Sequence, residues 1–336
     1  MPRISIVLPC FNAAKTLEAA LKSIAAQTFT DYELIVVDDG STDGTNAILT
    51  RWADADARIQ VLTIPHRGVI EAANAGLHAA RAPFIARMDA DDRMHPERLA
   101  LQWALLEGQP DVDVVSCRVS GFGRVREGFR VYMDWLNSCV TPEAIAREMF
   151  VESVIPNPTV LFRRALLKSV GYFEERGWPE DYDYWLRAHL AGMRFAKVPQ
   201  VLYEWREHPQ RLTRTDSRYS LENFIRTKAY YILRGPLKAR DAVLIWGAGM
   251  IGKRFSKHLL REGAPLEAFI DIDSKKIGRT RRGKPVIAPE ALLEWWRRYE
   301  NPVLLAAVGA RGARVLIRER LILMGFVEGR DWWGVA

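Results

Sequence analysis

The sequence predicts an α/β protein in two parts, and three observations carry that expectation. Over residues 4–92, short apolar runs alternate with stretches whose apolar residues recur at helical spacing, the pattern of a parallel sheet with right-handed crossovers. Two of those runs end in clustered acids, at Asp38-Asp39 and at Asp89-Ala90-Asp91-Asp92. Far downstream, Ala242 to Trp246 runs straight into Gly247-Ala248-Gly249-Met250-Ile251-Gly252, a Gly-x-Gly-x-x-Gly turn in strand–turn–helix setting.

Taken in order, Ile4 to Leu8 reads as a strand buried on both faces, stopped by Pro9-Cys10-Phe11-Asn12. A helix follows with Leu17, Leu21, Ile24 and Ala25 on one stripe and Thr16 or Asn12 as its cap. Tyr32 to Val37 is a second strand, entering the turn Asp38 to Gly44. A helix through Ala47, Ile48 and Trp52, a strand at Ile59 to Ile64 and a helix over Gly68 to Ala80 come next. The strand Pro83 to Ala86 then delivers the second acidic cluster, and His95 to Leu99 starts another helix. Val112 to Val154 reads as variable loops, and Val201-Leu202-Tyr203 as a strand. Ser217 to Arg240 reads as a helix broken at Gly235-Pro236.

Composition narrows the class. A chain of 336 residues, 49% hydrophobic and 26% charged, is a globular protein with room for two or three domains. No apolar run reaches membrane-spanning length, and the first strand is too short for a signal-peptide core. Cys10, Cys117 and Cys139 lack metal-ligand spacing and read as free thiols of a reducing cytoplasm. The net charge of +7 favours anionic partners. No recognition helix, zinc pattern or RNA-binding signature accompanies it, so nucleic acid is not an expected partner.

Three carboxylates at one strand end repel one another unless a cation or a polar network compensates. A hard divalent ion shared with substrate phosphates does so. The plainer alternative is an acidic helix start, with Asp91 or Asp92 as cap. Successive strand ends of a parallel sheet open onto the same edge, so both acidic clusters can face one crevice, which favours a nucleotide-and-metal site.

Ile4 to Asn12, Leu34 to Asp43, Ala86 to Asp92, Pro158 to Arg164 and Glu180-Asp181-Tyr182-Asp183-Tyr184-Trp185-Leu186-Arg187 together resemble the family-two inverting glycosyltransferases of the GT-A fold, over roughly the first two-thirds of the chain. The resemblance implies that Pro9, Asn12 and Asp39 wall a nucleotide-base pocket, with Asp38 serving the ribose. It implies that Asp89 and Asp91 form the Asp-x-Asp pair, Asp91 being the direct ligand of Mg²⁺ or Mn²⁺ on the donor diphosphate. It also makes Asp181 the general base, with Glu180 as the other candidate. Two departures stand out. Asn157 occupies a place where relatives often carry His, and Ala73 precedes Asn74 where they often carry Arg, so that diphosphate binding leans on Arg67 or Arg87. Arg206-Glu207-His208 resembles an Arg-x-His element that closes the site in many relatives, which makes His208 a metal-ligand or phosphate-donor candidate.

Beyond the Gly-rich turn, Leu266 to Ile270 forms a strand ending in Asp271, at roughly the twenty-residue distance of a ribose-binding acid. Val303 to Gly309 adds a strand. Trp246 to Gly249, Phe269 to Asp273 and Gly283 to Ile287 resemble the small Rossmann-like domains of sugar-modifying acyltransferases and polysaccharide-biosynthesis proteins. Gly247, Gly249, Gly252 and Asp271 are thus candidates for a second nucleotide site. Lys275 to Lys284 reads as a basic loop able to touch phosphates or an anionic membrane, and Trp295-Trp296 and Trp332-Trp333 read as packing residues.

The expected architecture is a GT-A domain over 1–215, a helical linker over 216–240 and a Rossmann-like domain over 241–336. The expected function is a metal-dependent, inverting transfer of sugar from a nucleoside-diphosphate donor to a hydroxyl of a saccharide or lipid-linked acceptor, in polysaccharide or glycoconjugate synthesis. The expected location is the cytoplasm, at most peripheral to the inner face of the membrane. A sugar-nucleotide nucleotidyltransferase would use similar acids but needs a Gly-rich basic loop after the first strand, which Pro9 to Ala14 does not supply. A non-enzymatic nucleotide-sugar sensor is the remaining alternative.

Overall fold

A computed structural model describes residues 1–336. They form two compact units, one of residues 1–146, 154–176 and 180–215, the other of 147–153, 177–179 and 216–336.

The first unit is built on strands β1 (Ile4–Cys10), β2 (Tyr32–Asp38), β3 (Ile59–Thr63), β4 (Phe84–Arg87), β5 (Arg93–Met94), β6 (Val114–Gly123), β7 (Leu161–Arg163) and β8 (Phe195–Glu207). Their spatial order is β3-β2-β1-β4-β7-β6-β8-β5. The first four are parallel, as the alternation predicts, but β7 runs antiparallel to β4 and starts a mixed second half. There β8 is parallel to β6, and β5 is antiparallel to β8. β2 is buried throughout and β1 at every position but Pro9, because helices cover the sheet on both faces.

In the helix Leu17–Ala25 the inward stripe is Leu17, Ala20, Leu21 and Ile24. Ala20 takes the place expected of Ala25, since steps of three and four from Leu17 reach 20, 21 and 24. Thr16 precedes the helix without capping it, and its hydroxyl donates to the Ala13 carbonyl. Helix Val69–Ala79 lies close on β1 at Gly76, where a Cβ would stand 2.4 Å from Val7 Cγ1.

The segment expected as variable loops is instead strand β6 and the helices Glu127–Ser138 and Pro142–Glu148. The helix Glu127–Ser138 hides its pattern because only Met133 and Leu136 are buried. It approaches β6 at Gly121, where a Cβ would stand 2.8 Å from Met133 Cε. β8 is also longer than its Val201-Leu202-Tyr203 signal. One buried tie joins the two halves of the sheet: Tyr203 OH on β8 donates to Asp92 Oδ2 (2.9 Å), and the Arg206 amide donates to Asp92 Oδ1 (2.7 Å).

The second unit is a six-stranded sheet of β9 (Ala242–Trp246), β10 (Leu266–Ile270), β11 (Thr280–Arg281), β12 (Lys284–Ile287), β13 (Pro302–Ala306) and β14 (Trp332–Gly334), ordered β11-β12-β10-β9-β13-β14. All neighbours are parallel except β11 and β12. The expected basic loop ends in this β11–β12 hairpin, and Lys275, Lys276 and Arg279 precede it. Its two turn residues, Arg282 and Gly283, both have positive φ (51° and 75°), as a tight two-residue hairpin turn requires. The helix expected over 217–240 is shorter, Leu221–Arg234, and the Ser220 side chain accepts from the Asn223 amide at its start. Within this unit Lys228 Nζ donates to the carbonyls of Val151 (2.7 Å) and Val335 (3.1 Å). Trp332 is fully buried, and Trp296 meets Phe326 edge-on at 4.7 Å, so the tandem tryptophans contribute to packing. All three cysteines are buried and none forms a disulfide, and no helix is long and apolar enough to cross a membrane.

Gly76→Ala is expected to destabilise the protein by about 1–3 kcal/mol through overpacking against Val7. Tyr203→Phe is expected to cost about 1–3 kcal/mol, because it strips a donor from a buried carboxylate. Urea denaturation reads both, and wild-type midpoints would show that neither contact constrains the fold.

Candidate active site

The carboxyl ends of β1, β2 and β4 lie side by side. Register sets Cys10 opposite Asp38 and Arg87 opposite Val7, and the Asp39 amide donates to the Cys10 carbonyl (2.9 Å). Both acidic clusters therefore emerge on one edge of the sheet.

At the first cluster, Asp38 is buried and its Oδ1 accepts from the Ser41 amide (3.1 Å). Asp39 is buried too, and it braces the next loop. Its two oxygens accept the amides of Arg67 and Gly68 (2.8 Å each), and His66 Nδ1 lies 2.8 Å from Oδ2. Asn12, at φ 48°, accepts the Thr42 amide on Oδ1 (2.9 Å) and donates its own amide to Ser41 Oγ (2.8 Å). Phe11 stacks on His66 with ring centroids 3.9 Å apart. Pro9 is half-buried at the end of β1, and the Arg67 side chain is exposed.

At the second cluster each acid has its own partner. Asp92 is the buried tie described above. Asp91 Oδ2 lies 3.0 Å from His208 Nε2, and the Asp91 carbonyl accepts from Arg206 Nε (2.8 Å). Asp89 Oδ1 lies 3.7 Å from the guanidinium of Arg87. The next helix begins at Arg98, so neither Asp91 nor Asp92 caps it. Arg87 itself is fully buried, and its Nε has no hydrogen-bond partner. Burial pulls its affinity for a proton down, and the nearby carboxylates of Asp89, Glu180 and Asp181 oppose that.

Glu180 and Asp181 open the helix Glu180–Leu190. Glu180 is buried. Asp181 is half-buried and accepts the Tyr182 amide on Oδ1 (2.7 Å). Loss of hydration raises the Asp181 carboxyl above its usual range, although backbone amides, Arg211 and Arg87 pull the other way. Loss of hydration also pushes Asp89 up to about 6, against the pull of Arg87 and with repulsion from Asp91 and Asp181. Asp89 thus feels Arg87, Asp91, Asp181 and Arg211, which puts these groups near one another in the first unit. Nothing in residue spacing flags Arg211, Tyr203, His66 or Phe11; their only signal is adjacency to His208, to its strand or to the Asp39 turn. Asn157, noted above, has its amide oxygen buried without a partner.

No three His, Cys, Asp or Glu side chains gather as a complete metal cage. What the fold brings together is one carboxylate and one imidazole, Asp91 and His208, half-exposed at the cleft. That donor set fits Mg²⁺ or Mn²⁺, which takes its remaining ligands from phosphate oxygens and water.

In the second unit Asp271 accepts the amides of Ala248 (2.9 Å) and Asp273 (3.0 Å) and lies 3.1 Å from Lys276 Nζ. Gly247 has φ 119°, and a Cβ on Gly252 would stand 1.8 Å from the Gly247 carbonyl oxygen. Gly249 has open space where its Cβ would be.

Comparison with known proteins fits this geometry. The model of "Glycosyl transferase family 2" matches residues 5–171. EpsE of Bacillus subtilis, whose name assigns it provisionally to the glycosyltransferases, is 31% identical over 67% of this chain and 80% of its own. The amylovoran biosynthesis glycosyltransferase AmsE of Erwinia amylovora is 29% identical over 60% of this chain and 75% of its own. Among solved structures, the mannosyltransferase PcManGT of Pyrobaculum calidifontis, in complex with GDP-Man and Mn²⁺, superposes with a TM-score of 0.50 at 25% identity, covering 78% of this chain and 69% of that one. A curled α/β sheet with paired acids at its strand tips, joined to that degree of kinship, places the chain in glycosyl transferase family 2, as a glycosyltransferase of the GT-A fold.

Proposed function

We propose that the protein transfers a sugar from a nucleoside-diphosphate donor to a hydroxyl group, with inversion and with a divalent ion, in the synthesis of a polysaccharide or glycoconjugate. The observation that carries this reading is the meeting of Asp91 with His208, close to Asp89, which in turn feels Arg87 and Asp181. The GDP-Man and Mn²⁺ held by PcManGT support the donor class and the ion, and the role in AmsE's name supports a polymeric product.

Pro9, Asn12, Asp38 and Asp39 stand where the base and ribose would lie. The braced loop 66–68 forms the wall next to them. Arg87 is a buried cation surrounded by Asp89, Glu180 and Asp181, so it steadies these carboxylates from beneath and leaves the exposed Arg67 side chain to reach a diphosphate. Asp89 orients the Arg87 guanidinium. Asp91 and His208 would hold the ion, which when bound screens the charge growing on the leaving diphosphate.

Asp181 is the base. The acceptor oxygen bonds to the anomeric carbon as the bond from that carbon to the diphosphate oxygen breaks. The bonding pair leaves with the phosphate, and the hydroxyl proton passes to an Asp181 oxygen. A carboxyl raised by its surroundings holds a proton better than an ordinary one, which suits this task, typically worth 10²–10⁴-fold. A single displacement inverts the anomeric centre and needs no covalent sugar–enzyme intermediate. Glu180 is buried behind Asp181 and is the weaker base candidate.

Asp91→Ala is expected to abolish the Mn²⁺-dependent part of the thermal stabilisation that a nucleoside diphosphate gives. Asp181→Asn should keep that stabilisation and lose transfer by roughly 10²–10⁴-fold. Full transfer by Asp181→Asn would move the base elsewhere, and Mn²⁺-dependent stabilisation surviving in Asp91→Ala would remove Asp91 from the ion.

A further inference from the structure

The second unit holds a cavity of about 730 Å³, which is within the range of small-molecule sites. It opens at the carboxyl ends of β9, β10 and β13. From β9 the chain proceeds to β10 on one side, and β13 lies on the other, so the cavity sits where the strand order reverses.

Its walls divide by chemistry. One end is made of two glycine turns, each leading into a helix. Gly249 precedes Met250–Arg261, and Gly309 and Ala310 lead toward Ala313–Leu323. Neither helix carries an acid in its first turn, so both present unneutralised amide dipoles there. Lys276 and Arg320 also line it, each already paired with an acid: Lys276 with Asp271 (3.1 Å) and Asp273 (3.4 Å), and Arg320 with Glu290 (2.6 Å). Asp271 and Asp273, at the end of β10, supply carboxylates. The remaining wall is apolar and includes Ile272, Leu316 and Met250, which are 76%, 68% and 64% exposed.

The three glycines of the turn are not equivalent. Gly247 is required by its φ of 119°, and a Cβ there would meet the Ala307 carbonyl oxygen at 2.7 Å. Gly252 is required because the helix touches the turn. Gly249 has an ordinary extended backbone (φ −79°, ψ −162°) and nothing within 4 Å of its missing Cβ, so the fold itself does not demand glycine there. Its bare backbone faces the cavity, which is the arrangement that lets a phosphate approach the amides.

We infer that this cavity binds a ribonucleoside diphosphate group, free or as part of a sugar nucleotide or dinucleotide, at a site separate from the donor cleft. The phosphates lie at the amides after Gly249, near Lys276 and Arg320. The ribose hydroxyls donate to the acid pair, and the base rests on Ile272 and Leu316.

The test is calorimetric titration of the full chain in excess EDTA, which removes ion-dependent binding at the donor cleft. ADP, UDP and NAD⁺ serve as probes and distinguish the free from the dinucleotide source. One equivalent of at least one probe is expected to bind the wild type and Asp91→Asn alike. Gly249→Val, whose backbone angles suit a β-branched residue, should bind at least ten-fold more weakly, with its melting curve by circular dichroism showing the fold kept. Ile272→Glu, at an exposed position, should weaken binding without touching the fold. Absence of EDTA-resistant binding for all three probes, or its loss in Asp91→Asn with Gly249→Val unaffected, overturns the inference and leaves the donor-cleft reading standing.

Discussion

The catalytic half of this protein depends on a buried carboxylate that touches no substrate position. Asp92 accepts from the Tyr203 hydroxyl and the Arg206 amide, and so fastens the tip of β4 to a strand on the far side of the sheet. The chain reaches His208 two residues after Arg206, and that is how an imidazole arrives beside Asp91. A charge out of water survives only with strong donors around it. The same arrangement resolves the crowding of three acids within four residues. Asp89 answers to Arg87, Asp91 to His208 and Asp92 to Tyr203, so each is compensated from a different part of the fold.

Much of this was legible in the sequence because it is local. Runs such as Ile4 to Leu8 and Ala242 to Trp246 announce doubly covered strands, and acids placed directly after a strand must emerge at its carboxyl end. The turn at Gly247 was equally plain, since its backbone angle and tight contacts leave no other residue. What escaped was set by distant partners. The antiparallel β7 beside β4 has no periodic signature in three residues. Helix Glu127–Ser138 buries too few side chains to show a stripe, so its segment read as loops. Sequence spacing likewise could not say that Arg87 would be sealed under the cleft while the Arg67 side chain stays in solvent.

The two units use similar strand-tip geometry with opposite electrostatics. The first gathers carboxylates and gives each a partner from its own chain. The second brings two helix starts to one cavity and ties Asp271 down through backbone amides and Lys276.

The bracing of the 66–68 loop by Asp39 bears on how this enzyme can diversify. A residue whose two oxygens are already committed to main-chain amides is a poor place to retune nucleotide preference, because any replacement unfastens a segment of backbone along with the contact. Under the proposed function, variation in donor choice is therefore channelled toward a neighbour such as Phe11, whose ring stacks on His66 but takes no part in that bracing.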